Sequence, residues 1–269
     1  MRYKVGFIGC GNMGGTIARN ISLSIGGNNV AVCDLDKSKT KILCTEYGTN
    51  ELNDYDIFEN CEYVFLGLKP QFMQNYIKSV INIINGSNCV IISMAAGVSV
   101  SSDLEHIYNI KRPIIRIMPN MPCGVGSGMI LYSYNKLITS EKITDFLSFM
   151  SSCGRLDAVD DALIDAGSAI TGCGPAFAYI FAEALADAGV ECGLPRDKAL
   201  LYAAQMLKGS AETLLESPSP SLLKDKVCSP GGTTIAGVHA LESSGFRAAV
   251  MNAVVASYKK NGALNSSHK

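Results

Sequence analysis

A short apolar run, Tyr3 to Ile8, passes directly into Gly9-Cys10-Gly11-Asn12-Met13-Gly14. The chain then spaces Ile17, Ala18, Ile21 and Ile25 along what reads as one face of a helix. This junction constrains the fold more than any other stretch. Gly9 permits a tight turn, Gly11 lets a pyrophosphate touch the main chain, and Gly14 lets the helix pack against the strand. The first turn of that helix presents unbonded N–H groups to the phosphates. A second strand, Asn29 to Cys33, ends in Asp34, 20 residues beyond Gly14. An acid at this place grips the adenosine ribose of a nicotinamide dinucleotide. Asp34 would repel a 2′-phosphate and so favours NADH over NADPH. Lys37 and Lys39, just downstream, are open to two readings: partners for such a phosphate, or solvated residues opening the next helix.

The alternation of strand and helix continues. Glu62 to Leu68, Asn88 to Ser93 and Pro113 to Met118 read as buried parallel strands. They deliver Lys69-Pro70, Ala95-Ala96 and Asn120 to the rim where doubly wound sheets bind their ligands. Small residues such as Ala95 and Ala96 suit a wall that a flat nicotinamide approaches. The plainer reading is a set of sharp strand exits, which prolines fill readily. Ser127 to Tyr134 adds a strand, Ser140 to Ser152 a helix, and Gly154 to Val159 a last strand. Residues 1–160 therefore read as an α/β domain of doubly wound, Rossmann type that binds a dinucleotide.

Residues 161–269 read differently, as an all-α domain for dimerisation and substrate binding. From about Asp161 onward no strand pattern is convincing. Ala162 to Cys192 is dense in alanine and glycine, with Gly174-Pro175 opening a helix. Leu194-Pro195-Arg196-Asp197 opens another, to about Leu215, and Ser217-Pro218-Ser219-Pro220 breaks the chain. A last helix, with Phe246, Val250, Val254 and Tyr258 on one face, decays into a polar tail at Asn265 to Lys269. Helices apolar on most faces must be covered by something. A second copy of the chain is the economical cover, so a homodimer or higher homo-oligomer is expected.

Formal net charge is -1, with 17% charged and 48% hydrophobic residues. That balance argues against a nucleic-acid partner. The apolar stretch after Lys4 is cut by Gly6, Gly9 and Gly11, unlike a signal peptide, and no uninterrupted apolar run approaches the roughly 20 residues of a membrane span. The 10 cysteines include no C-x-x-C pair and read, as at Cys33, Cys61, Cys89 and Cys192, as small buried hydrophobes in a reducing, cytoplasmic compartment. His106, His239 and His268 lie far apart, and no metal site is expected.

Near the end of the chain, Ser229-Pro230-Gly231-Gly232-Thr233-Thr234 runs straight into an apolar segment with Ile235, Val238 and Leu241. Two glycines allow a close ligand approach. Thr233 and Thr234 fall where a helix has free N–H groups, a seat for a small carboxylate. The plainer reading is a loop ending in a capped helix.

Gly9-x-Gly11-Asn12-Met13-Gly14, Leu68-Lys69-Pro70, Ala95-Ala96-Gly97-Val98, Met118-Pro119-Asn120, Thr171-Gly172-Cys173-Gly174-Pro175-Ala176 and Val227-Cys228-Ser229-Pro230-Gly231-Gly232-Thr233-Thr234-Ile235 occur in one order over nearly the whole chain. In this the sequence resembles the pyrroline-5-carboxylate reductases, which perform the last step of proline biosynthesis. The resemblance implies hydride transfer from NAD(P)H to the C=N carbon of 1-pyrroline-5-carboxylate, giving L-proline. It implies that Gly231, Gly232 and Thr233 bind the substrate carboxylate through backbone N–H groups. Thr234 would sit near the ring nitrogen and hydrogen-bond or relay a proton to it. Gly9, Cys10, Gly11, Asn12, Met13, Gly14, Leu68, Lys69, Pro70, Ala95 and Ala96 would contact the dinucleotide, with Asn120 near the nicotinamide or substrate. No His, Lys or Asp near the last motif reads as a dedicated general acid. A protonated imine is already an electrophile, so catalysis would rest on positioning and electrostatics.

The chain departs from the family pattern in places. Many members carry Ser or Arg at the position of Asp34, which suits NADPH. Lys226 stands where some have Asn, and Cys173 where Ser is common.

Three other readings compete. A β-hydroxyacid dehydrogenase shares the N-terminal motif but needs a lysine on the helix after the sheet, and Thr171 to Asp187 has none. A non-catalytic dinucleotide sensor would not need the Ser229–Thr234 loop. Reduction of a six-membered imine differs by one methylene, worth about 1–3 kcal/mol.

Overall fold

The computed structural model describes residues 2–266, with side chains to residue 261. Ser267 to Lys269, and with them His268, lie outside the described residues. The sheet grows outward from β1 (Tyr3–Ile8), which lies between β2 (Val30–Cys33) and β4 (Cys61–Leu66), Val5 standing opposite both Val30 and Tyr63. Beyond β2 lies the two-residue strand β3 (Asn50–Glu51). On the other side follow β5 (Val90–Ser93), β6 (Ile114–Met118), β7 (Gly128–Tyr134) and β8 (Gly154–Ala158). The order is β3-β2-β1-β4-β5-β6-β7-β8. Neighbours are parallel except β6 and β7, which pair antiparallel with Arg116 opposite Ser133. Strand order reverses between β1 and β4, so the ligand crevice of such a sheet opens beside the glycine turn.

The inner strands are buried on both faces. Phe7, Tyr63, Phe65 and Ile92 point to one side, where they meet α1 (Asn12–Ile25), α2 (Lys37–Tyr47) and α5 (Ser140–Met150). Phe7 and Phe65 stack at 4.5 Å. Val64, Leu66 and Ile91 point to the other side, where α3 (Asp54–Asn60) and α4 (Pro70–Gly86) supply Ile57, Phe58, Met73 and Ile77. A π-helix, Val100–Ile107, adds Leu104 to that layer. Helix α6 (Ile164–Thr171) lies against β7, with Ile164 packed on Met118 and Leu131.

Several expected bounds shift. β4 stops at Leu66 rather than Leu68, because Gly67 leaves the ladder to cross the glycine turn. The β3 strand and α3 carry too few residues to show a period and were not foreseen. The last helix runs on to Ser266, beyond Asn265.

Contacts group residues 2–172 and 257–266 as one unit and Cys173–Ala256 as another. The second unit contains α7 (Gly174–Glu191), α8 (Arg196–Glu216), α9 (Pro220–Val227), α10 (Thr233–Ser243) and most of α11 (Phe246–Ser266). A Cβ on Gly189 would lie 3.1 Å from that of Ala199, so small residues let α7 and α8 close on each other. Among the described residues, the buried apolar side chains of this unit are three alanines, 186, 199 and 203. Tyr179, Ile180, Leu201, Met251 and Val255 are exposed. Such a unit has almost no core of its own.

The helical stretch Asp161–Glu191 is long and apolar enough to cross a membrane by length and composition. It holds no uninterrupted apolar run of that length: Gly172 and Cys173 separate α6 from α7, and polar side chains are scattered through it.

Candidate functional site

The glycine turn is locked by its neighbours. Gly9 has φ of 94°, and a Cβ there would lie 2.6 Å from the carbonyl oxygen of Gly67. A Cβ on Gly14 would strike the carbonyl of Gly9. Main-chain bonds from Gly9 N to Cys33 O and from Gly67 N to Ile8 O, both 2.8 Å, tie the ends of β2, β1 and β4 together. Gly11 is different: it is extended, and nothing lies within 4 Å of where its Cβ would be. It is the N-cap of α1, with no side chain capping the helix. A helix N-terminus with free N–H groups and open space in front of a glycine fits a pyrophosphate.

Asn12 opens α1 exposed, Met13 packs partly against the first core layer, and Cys10 is buried. Burial, then the nearby charge of Asp34, pushes the Cys10 thiol up to about 12. It is a packing residue rather than a nucleophile.

Asp34 holds the turn as well as standing beside it. Its Oδ2 accepts from Cys10 N at 2.7 Å and its Oδ1 from Asp36 N at 2.8 Å. Lys39 Nζ lies 3.7 Å from Asp34 and 3.6 Å from Asp36, while Lys37 pairs with Glu51 at 2.8 Å. Both lysines weighed for a 2′-phosphate are therefore engaged by acids, three carboxylates against two ammonium groups.

Three strand ends bring the remaining expected residues to the same rim. Leu68 is half-buried, Lys69 is exposed as the N-cap of α4, and Pro70 occupies the first turn. After β5, Ala95 is 1% exposed and its N–H meets Ser93 Oγ at 3.4 Å, while Ala96 is exposed. After β6, Asn120 is buried with its amide engaged at both ends. Its Nδ2 donates to Thr171 O at 2.9 Å and its Oδ1 accepts from Met129 N at 3.0 Å.

In the second unit, Gly231 has φ of 67° and Gly232 is the extended N-cap of α10, its N–H bonded to Ser229 O at 3.0 Å. A Cβ on Gly232 would collide with Ser229 Oγ. Thr233 and Thr234 are the first two helical residues, exposed and half-buried respectively, and no side chain caps the helix. Gly231, Gly232, Thr233 and Thr234 thus converge on free N–H groups and two hydroxyls, a geometry that receives an anion.

Two features of the site lie outside the sequence motifs. Gly67 falls within the expected strand Glu62 to Leu68, yet a glycine there signals close backbone approach. Arg116, an arginine inside the apolar run Ile114 to Met118, is 1% exposed with two carboxylate partners.

The family model described as pyrroline-5-carboxylate reductase dimerisation matches residues 161–264, and one described as NADP oxidoreductase, coenzyme F420-dependent, matches residues 4–97. The chain is 35% identical to a pyrroline-5-carboxylate reductase of Escherichia coli, covering 99% of this chain and 100% of that protein. Among solved structures it is similar to the pyrroline carboxylate reductase of Plasmodium falciparum with NADP bound, at a TM-score of 0.87 and 31% identity over 98% of each chain. A pyrroline-5-carboxylate reductase from Coxiella burnetii gives a TM-score of 0.88 at 27% identity, covering 98% of this chain and 99% of that one.

Proposed function

The chain belongs to the pyrroline-5-carboxylate reductase family, and on that premise we propose a division of labour between its two units. It is an NAD(P)H-dependent imine oxidoreductase that reduces 1-pyrroline-5-carboxylate to L-proline. The dinucleotide, when bound, supplies the hydride that reduces the C=N carbon. Residues 1–160 hold it. Gly9 to Gly14 cradle its pyrophosphate, Asp34 takes its adenosine ribose, and Leu68, Lys69, Pro70, Ala95 and Ala96 line its path along the rim. Asn120 stiffens that rim. The observation that carries this reading is the pairing of a locked Gly9 and Gly14 with an open Gly11.

Residues 161–269 hold the substrate. The loop at Gly231, Gly232 and Thr233 binds its single carboxylate, largely through backbone N–H groups other than that of Gly232, which Ser229 O already holds, and the Thr234 hydroxyl hydrogen-bonds the ring nitrogen. The Ser229–Thr234 loop carries no His, Lys or Asp to act as a dedicated acid, and a protonated imine brings its own proton to the reaction. Orientation then does most of the catalysis.

Asp34, Asp36 and Glu51 outnumber Lys37 and Lys39, which favours NADH. The NADP bound to the Plasmodium falciparum relative supports the second reading, NADPH. The match to a dimerisation family supports a homo-oligomer, at least a dimer, whose apolar α7, α8 and α11 faces are covered by a second copy. All 10 cysteines are free thiols, which suits the cytoplasm. Incubation with the imine and coenzyme, followed by chiral amino-acid analysis, tests the activity. L-Proline formed in proportion to coenzyme consumed is expected. A six-membered imine consumed in preference, or no amino acid formed, would refute it.

A further inference from the structure

Arg116 is the one charged residue in β6, a strand buried on both faces, and it is the largest fully buried side chain among the described residues. Its Nη2 donates to Asp165 Oδ1 at 2.7 Å and its Nη1 to Asp161 Oδ1 at 3.1 Å, while its Nε has no partner. Replacing a buried ion pair with apolar residues is often neutral or stabilising, so stability alone does not account for this cluster.

Asp161 links three segments. Its Oδ1 also accepts from Ser133 Oγ at 2.9 Å, and its Oδ2 accepts the main-chain N–H of Val100 at 2.8 Å. Val100 begins the π-helix one residue, Ser99, beyond Ala95-Ala96-Gly97-Val98. Within that helix Asp103 fixes Ser99, accepting from its N–H at 2.7 Å. Asp161 fixes the helix start to the sheet. At the near end of the same loop Ala95 N meets Ser93 Oγ, and Ser93 is the register partner of Arg116. One row across the sheet, Ser93, Arg116 and Ser133, therefore lies under both ends of the loop.

We propose that Arg116 and Asp161 are positioning residues: Arg116 holds the Asp161 carboxylate, and Asp161 holds the 94–99 loop in the shape that receives the nicotinamide end of the coenzyme. Neither touches the coenzyme. The inference rests on the reading of Ala95 and Ala96 as coenzyme-contacting residues.

The test is coenzyme affinity, measured by nicotinamide fluorescence, alongside the KM for the imine. Val100→Pro deletes the N–H that Asp161 receives and strands no charge. Position 100 is the first helical residue, and Ser99 before it is extended at ψ 158°, so proline fits. Asp161→Asn and Arg116→Met remove the pair itself, and Ser133→Ala removes a bond to the same carboxylate while leaving Val100 held. Val100→Pro, Asp161→Asn and Arg116→Met should each raise the coenzyme Kd about tenfold or more, with the imine KM within about twofold. Ser133→Ala should match the parent protein. A folded Val100→Pro with unchanged coenzyme Kd overturns the proposal, whatever the charged variants do. A parent protein that binds coenzyme but does not reduce the imine refutes the proposed function instead, and the Kd comparison still decides this inference.

Discussion

The main-chain N–H of Cys10 donates to the carboxylate of Asp34 at 2.7 Å, so the acid that ends β2 also braces the glycine turn. Asp34→Ser removes the charge that opposes a 2′-phosphate and leaves Lys39 with Asp36 alone. The ratio of kcat/KM for NADH to that for NADPH should fall about tenfold, equivalent to roughly 1.4 kcal/mol. An unchanged ratio would show that Asp34 only braces the turn.

Two alanine substitutions in one turn should separate folding from binding. Gly9→Ala meets both a φ of 94° and the Gly67 carbonyl at 2.6 Å. It should cost about 1–3 kcal/mol, a melting temperature lower by about 3–10 °C. Gly11→Ala places its methyl in open space at an ordinary φ of -66°. Its melting temperature should stay within about 2 °C, while the coenzyme Kd rises about tenfold because the methyl meets the pyrophosphate. Thermal melts and fluorescence titration of both variants check the contrast.

Much of this was legible because it is local. The turn at Gly9 to Gly14 and the Gly231-Gly232 entry into α10 are set by adjacent residues, so spacing alone reveals them. The scarcity of core in the second unit showed in helices with no polar face. Arg116 could not be read in the same way, since its partners lie 45 and 49 residues away and reach it only when Asp161 and α6, which follows it, pack beside β6 and β7. The direction of β7 leaves no mark in its own residues either. Gly67 is shaped by Gly9, a contact that exists only once β1 and β4 pair.

Thr234→Ala should lower kcat about 10- to 100-fold, the worth of one hydrogen bond to a charged group in the reacting complex, roughly 1.5–3 kcal/mol. The coenzyme Kd should not change, because the residue belongs to the substrate loop. Thr234→Ser should restore most of the rate. Steady-state kinetics with a parallel coenzyme titration separates these effects.

The buried thiols set an alkaline limit to stability. Burial pushes Cys10, Cys61 and Cys153 from 9.0 up to about 12. Their folded forms hold the proton that the unfolded chain releases from about pH 9. Stability is therefore fully present below pH 9 and falls as pH rises towards 12, by at most about 1.4 kcal/mol per pH unit for each thiol. Melting temperature plotted against pH should be level from 7 to 9 and then decline, less steeply in Cys61→Ala. A level profile to pH 11 would contradict the burial of these groups.

The central claim is that this chain reduces 1-pyrroline-5-carboxylate, and the most direct measurement follows nicotinamide absorbance with that imine and with NADH or NADPH in turn. Coenzyme oxidation should depend on the imine, saturate with it, and be more efficient with NADH. Coenzyme binding without any imine-dependent oxidation would contradict it and would leave the glycine turn as a sensor of the dinucleotide.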